Sequence, residues 1–189
     1  MNAVLRWIHA MRSRPPLPQI TDEHRWRGLR AGSDVLFLDF HGVLHPWATD
    51  TFECLPHLYQ VLDALPHLQV VIASAWYHFA PRRAVLERIA PPYRDRFVDV
   101  LPLNVRSPVA REVLLMRYVR THGVRGFAAV TGHGQRFTAR CGWAFLLPAG
   151  EGLNDLRARA LINFITHRRS RGPRVLQTPS ISAPRPWPH

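Results

Sequence analysis

A three-layer α/β domain with a mostly parallel sheet is the fold that this sequence predicts. Strand-sized apolar runs at 35–39 (VLFLD), 69–74 (QVVIAS), 97–102 (FVDVLP), 127–131 (FAAVT) and 143–148 (WAFLLP) alternate with stretches of helical periodicity. That alternation is how a chain reads when each crossover between parallel strands carries a helix. At 189 residues, with 47% hydrophobic and 20% charged residues, the chain suits one well-buried core and is too short for two ordinary domains.

Residues 1–33 predict an amphipathic helix followed by a proline-rich linker. Val4, Leu5, Trp7, Ile8 and Met11 fall at helical spacing, and Pro15, Pro16 and Pro18 then break the pattern. A stripe of this kind ordinarily docks on its own domain, and we expect that here. The domain proper spans 34–168. After the first strand, 52–64 reads as a helix with Phe52, Leu55, Leu58, Tyr59 and Leu62 on one face, and 82–90 as a shorter one. Ser107 can cap free N–H groups and Pro108 fits a first turn, so a helix is expected over 108–121, ending near Gly123 with Leu114, Tyr118 and Val119 toward the sheet. A last helix begins near Asn154 with Leu156, Ala160, Leu161, Phe164 and Ile165 inward, and HRRSRGPR ends it. Residues 169–189 then read as a basic, proline-rich disordered tail.

No apolar run approaches the roughly 20 residues a membrane-spanning helix needs, so no transmembrane segment is expected. The opening MNAVLRWIHAMRSRPP carries Arg6 and His9 inside its apolar stretch, which makes a poor secretory signal. Cys54 and Cys141 are far apart in apolar surroundings, as buried reduced thiols would be, and a cytoplasmic address follows. The formal charge of +12 is carried by arginine alone, since the sequence contains no lysine. A P-loop lysine, a Schiff-base lysine and a lysine beside a phosphorylated carboxylate are thereby excluded. Any phosphate recognition must use arginine, backbone N–H groups or histidine. The arginine-rich surface, with Arg168, Arg169, Arg171 and Arg174 at the tail, offers a second class of partner, nucleic acid.

In a parallel α/β sheet the loops at the carboxyl ends of strands build the site, so the polar cluster after the first apolar run is the place to look. In VLFLDFHGVLHPW, Asp39 projects from the strand tip, and Gly42 permits a turn tight enough for backbone N–H groups to approach an anion. The run Asp39-Phe40-His41-Gly42-Val43 resembles the first motif of the haloacid dehalogenase (HAD) superfamily, an apolar strand followed by Asp-x-Asp-Gly-Thr/Val. Leu44-His45-Pro46 and the later Gly152-Leu153 are similar to the HAD domain of Swiss Army Knife RNA repair proteins, over about residues 34–167. The resemblance implies a Rossmann-like sheet and a phosphorylated substrate. It also implies a minimal cap, because few residues separate Pro46 from Phe52.

Carried onto this sequence, the resemblance makes Asp39 the nucleophile that attacks phosphorus and puts His41 where the superfamily has its acid–base aspartate. Histidine can shuttle a proton at neutral pH. Ser74 matches the hydroxyl of the second motif and, with Gly42, would hold the phosphoryl group. Arg106 and Arg111 are the candidates for the third-motif cation, with Arg111 preferred. The fourth motif implies an acid pair that holds Mg2+, but Thr131 and Gly132 stand there, followed by His133. A metal set of Asp39, Thr131 and His133 would hold Mg2+ weakly, because that ion prefers carboxylate oxygens and water. Three readings follow: a pseudoenzyme that keeps the fold, a weak phosphohydrolase, or a different site in which Asp39, His41 and His133 ligate zinc or iron. A fourth, of another class, is a basic nucleic-acid-binding or adaptor domain without catalysis.

Overall fold

The first strand, β1 (Asp34–Leu38), is buried on both sides, with Leu36 and Leu38 pointing to one face of the sheet and Val35 and Phe37 to the other. A strand apolar on both faces must lie at the centre of a layered fold, and β1 does. It pairs in parallel with β2 (Leu68–Ile72) and β4 (Gly126–Thr131), while β3 (Phe97–Val100) and β5 (Ala144–Leu146) close the edges, giving the order β3-β2-β1-β4-β5. Among the described residues all four pairings are parallel. The architecture is therefore the predicted Rossmann-like α/β fold. The computed structural model describes residues 28–30, 32–46, 51–74, 82–89, 91–101, 108–139, 141–148 and 150–171. The expected N-terminal helix, Arg106, the capping Ser107 and the tail beyond 171 lie outside them.

Two apolar layers sandwich the sheet. On one face, α1 (Leu55–Ala64) supplies Leu58, Val61 and Leu62, and α4 (Asp155–Arg171) supplies Ala158, Leu161 and Ile165. Ile89, closing α2 (Arg82–Ile89), joins them. On the other face, α3 (Pro108–Thr121) supplies Leu115, Tyr118 and Val119, so Leu114 is only half-buried and its neighbour takes the central place.

Two expectations for α4 are corrected. Asn154 caps it, its side-chain oxygen accepting the Arg157 N–H at 3.0 Å, and that start sets the phase. The inward positions become 158, 161 and 165, leaving Ala160 exposed and Leu156 76% exposed. The helix ends within HRRSRGPR as expected, but it takes in residues 169–171, which were expected to open the tail. Arginine is a good helix former, and the first strong breakers are Gly172 and Pro173.

Arg96 braces the α1–β2 connection. Its guanidinium donates to the carbonyls of Leu62 (2.6 Å) in the last turn of α1, of Leu65 at its C-cap, and of Leu68 (2.8 Å from Nε), the first residue of β2. Arg96→Ala should cost about 2 kcal/mol in urea unfolding, with the fold retained. Arg96→Lys, which cannot fork across three carbonyls, should recover less than half of that loss.

Both cysteines are free, Cys54 buried and Cys141 half-buried. Burial pushes the Cys54 thiol up, and burial with the nearby Glu112 charge lifts Cys141 to about 11. Because the thiolate is the reactive form, Cys141 should react with a thiol reagent at pH 8 roughly 100-fold more slowly than an unperturbed cysteine. The rate should climb as pH approaches 11, and the difference should vanish in denaturant.

Candidate active site at the strand tips

Asp39 follows β1 at its carboxyl end, and its neighbours are set by strand order. Its backbone N–H donates to the Val130 carbonyl at 3.1 Å, while Ala73 N–H donates to the Leu38 carbonyl at 2.8 Å, so the tips of β2, β1 and β4 are level. Side chains from three adjacent strands thereby meet. Asp39 is 2% exposed. Its Oδ1 accepts the Phe40 N–H at 2.9 Å, and its Oδ2 accepts the Thr131 hydroxyl at 3.0 Å. The Phe40 N–H also lies 3.4 Å from Ser74 Oγ. Asp39, Ser74 and Thr131 are thus brought together, as the motif order predicts.

Arg111 reaches the same end from α3. It is 3% exposed, and its guanidinium donates to the Ala73 carbonyl at 3.4 Å and lies over the Phe137 ring at 5.9 Å. An arginine this deep is rare outside a functional or paired setting. It stands one residue from Ser74 in contact terms, on a helix where most arginines would face solvent.

Two glycines join the loops of the first and fourth motifs. Gly42 adopts φ +68°, a left-handed conformation that most residues avoid. Its N–H donates to the His45 carbonyl at 3.0 Å, closing the turn, so Gly42 serves here through its conformation while that N–H is engaged. A Cβ on Gly132 would stand 2.5 Å from Gly42 Cα, so the two loops touch backbone to backbone. This contact juxtaposes the flanking histidines. The His41 and His133 rings are 6.5 Å apart, and His133 N–H donates to Thr131 Oγ1 at 3.1 Å, linking it to Asp39 through one hydroxyl.

His45 was missed as a site residue. It is buried, its ring meets His41 edge-on at 5.0 Å and Phe52 at 5.4 Å, and its Nδ1–H donates to the Pro46 carbonyl at 3.0 Å. The sequence signal was the spacing His41-x-x-x-His45 around a glycine, which in a tight turn folds the second histidine back beneath the first. Gly152 and Leu153 have a role as well. Leu153 N–H donates to the Val43 carbonyl at 2.8 Å, and Gly152, at φ +67°, packs so closely that a Cβ there would lie 2.6 Å from Cys54 Sγ. The pair holds the Asp39 loop from below.

With this geometry in place, the comparison with known families is decisive. The sequence model described as the HAD domain in Swiss Army Knife RNA repair proteins matches residues 35–155. The chain belongs to that family. No curated protein and no solved structure matches it. The matched span contains this HAD domain's strand tips and ends at the first residue of α4, so the Gly152-Leu153 brace falls inside it.

Magnesium is the ion that HAD membership implies, and the donor set does not fit it. Where the acid pair would stand, Thr131 offers a hydroxyl already donated to Asp39, and Gly132 offers no side chain. Among the described residues no group of three histidine, cysteine, aspartate or glutamate side chains is arranged to hold a metal ion. The set Asp39, Thr131 and His133 is close-knit, yet it brings one carboxylate where a hard dication needs several oxygens. A separate hollow, lined by Arg30, Asp34, His67 and Arg96 among others, opens at the opposite ends of the strands and does not include Asp39.

Proposed function

We propose that this HAD domain keeps a phosphate-ester site around Asp39 in which hydrolysis is impaired, a pseudoenzyme or at most a weak phosphohydrolase. The observation that carries this reading is the Thr131 hydroxyl on Asp39 Oδ2 at 3.0 Å, where the family places metal-holding acid. In the full reaction, an Asp39 oxygen forms a bond to phosphorus as the ester oxygen leaves with a proton, a transfer for which His41 stands two residues on. Water then cleaves the acyl phosphate. Attack of a carboxylate on a dianion is repulsive, and several kcal/mol of stabilisation are needed at that step. Arg111 and Ser74 would supply part of it.

The nucleic-acid reading is less well supported. Among the described arginines, Arg96, Arg157 and Arg168 donate to backbone carbonyls and Arg111 is buried at the strand tips, while Arg94, Arg120 of α3 and Arg159 of α4 are among those exposed. Exposed arginines spread over several elements suit an arginine-rich composition better than a dedicated RNA face. The cytoplasmic address stays part of the proposal. No helix among the described residues is long and apolar enough to cross a membrane.

The test is turnover of a generic phosphate monoester by wild type and Asp39→Asn. Equal, negligible rates support impairment. Robust turnover by wild type that Asp39→Asn abolishes would refute it.

A further inference from the structure

The strand tips have lost acids and gained imidazoles. His41 and His133 flank the Gly42–Gly132 contact, are half-buried with a face to solvent, and hold their rings 6.5 Å apart. His45 packs edge-on against His41 at 5.0 Å and restricts its ring. Ser74 and Arg111 approach from the neighbouring strand and helix, and Asp39 is the single carboxylate at these motif positions. Two donors with hydrogen bonds of about 2.8 Å to one acceptor stand at most about 5.6 Å apart. Rings with centroids 6.5 Å apart can bring one nitrogen each within that limit by turning their edges toward each other.

We propose that His41 and His133 form a binding site for a phosphate-type oxyanion that does not depend on a divalent ion. The proposal rests on the phosphate-site reading above and adds how the anion is held. In the family pattern, acids gather a dication, and the dication gathers the phosphate. Here the acids are replaced, and imidazole N–H groups take the anion directly as hydrogen-bond donors to a charged acceptor. The disagreement between the donor set and magnesium is then a change of recognition chemistry. The glycine contact enforces it, because it fixes both histidines from the backbone.

Calorimetric titration of the full chain with inorganic phosphate and with a simple phosphonate, at one fixed pH, tests this in excess EDTA and again in magnesium. Wild type should bind in EDTA with a Kd within about twofold of that in magnesium. His41→Ala and His133→Ala should each weaken binding about tenfold, the loss of one hydrogen bond to a charged group, with unchanged circular dichroism and melting. His167→Ala, on the exposed face of α4, should bind as wild type does. Whichever of the two probes binds more tightly identifies the source, free phosphate or an esterified group. Binding that requires magnesium would overturn the proposal and leave the phosphate-site reading standing. Absence of binding under both conditions would remove both. Wild-type affinity in both histidine variants would also overturn it.

Discussion

Returning two acids to the strand tips, as His41→Asp with Thr131→Asp, should raise magnesium-dependent hydrolysis of a phosphate monoester at least about 100-fold over wild type. Thr131 is buried and its hydroxyl lies 3.0 Å from Asp39 Oδ2, so an aspartate there places a second carboxylate against the first. Without metal the two repel, and the variant should be less stable than wild type. Magnesium binds the folded form and relieves that repulsion, so it should raise the melting temperature of this variant and leave wild type unchanged. Adding Asp39→Asn should return activity to background. A restored variant that folds, gains stability with magnesium and still turns over at the wild-type rate would show that lost acids are not what limits this site.

Gly132→Asp, the other acid the family pattern calls for, should fail for a different reason. Any Cβ at 132 meets Gly42 Cα at 2.5 Å and the Gly42 carbonyl oxygen at 2.6 Å, and backbone cannot step aside as a side-chain tip can. Even Gly132→Ala should cost about 3 kcal/mol, a fall of roughly 6–12 °C in Tm for a chain of this size. Gly134 supplies the control. A Cβ there meets only Leu146 Cδ1 at 3.7 Å, ordinary contact, so Gly134→Ala should stay within about 0.5 kcal/mol of wild type. Equal melting of the two variants would show that the loops separate more easily than their contact implies. Loss of the Gly132 brace should also weaken the pairing of His41 with His133.

The strand tips were legible because local chemistry marks them: an apolar run ending in Asp39-Phe40-His41-Gly42, another ending at Ser74, a third at Thr131. The parallel order then makes them neighbours, and the hydrogen bond between Thr131 and Asp39 follows. Contacts between distant backbones leave no such mark. Nothing local to Gly132 says that Gly42 lies against it, and nothing local to Gly152 names Cys54. Arg111 was placed on the right helix, but its burial opposes the usual preference of arginine and comes from α3 crossing the tip of β2. The phase of α4 went astray at its first turn, where Leu156 suggested an inward face that the Asn154 cap directs elsewhere.

Direct titration of wild type with magnesium, followed by calorimetry beside the His41→Asp, Thr131→Asp variant, tests the central claim most directly. The account predicts no saturable binding by wild type at millimolar magnesium and saturable binding by the variant. Saturable magnesium binding by wild type that Asp39→Asn abolishes would contradict it.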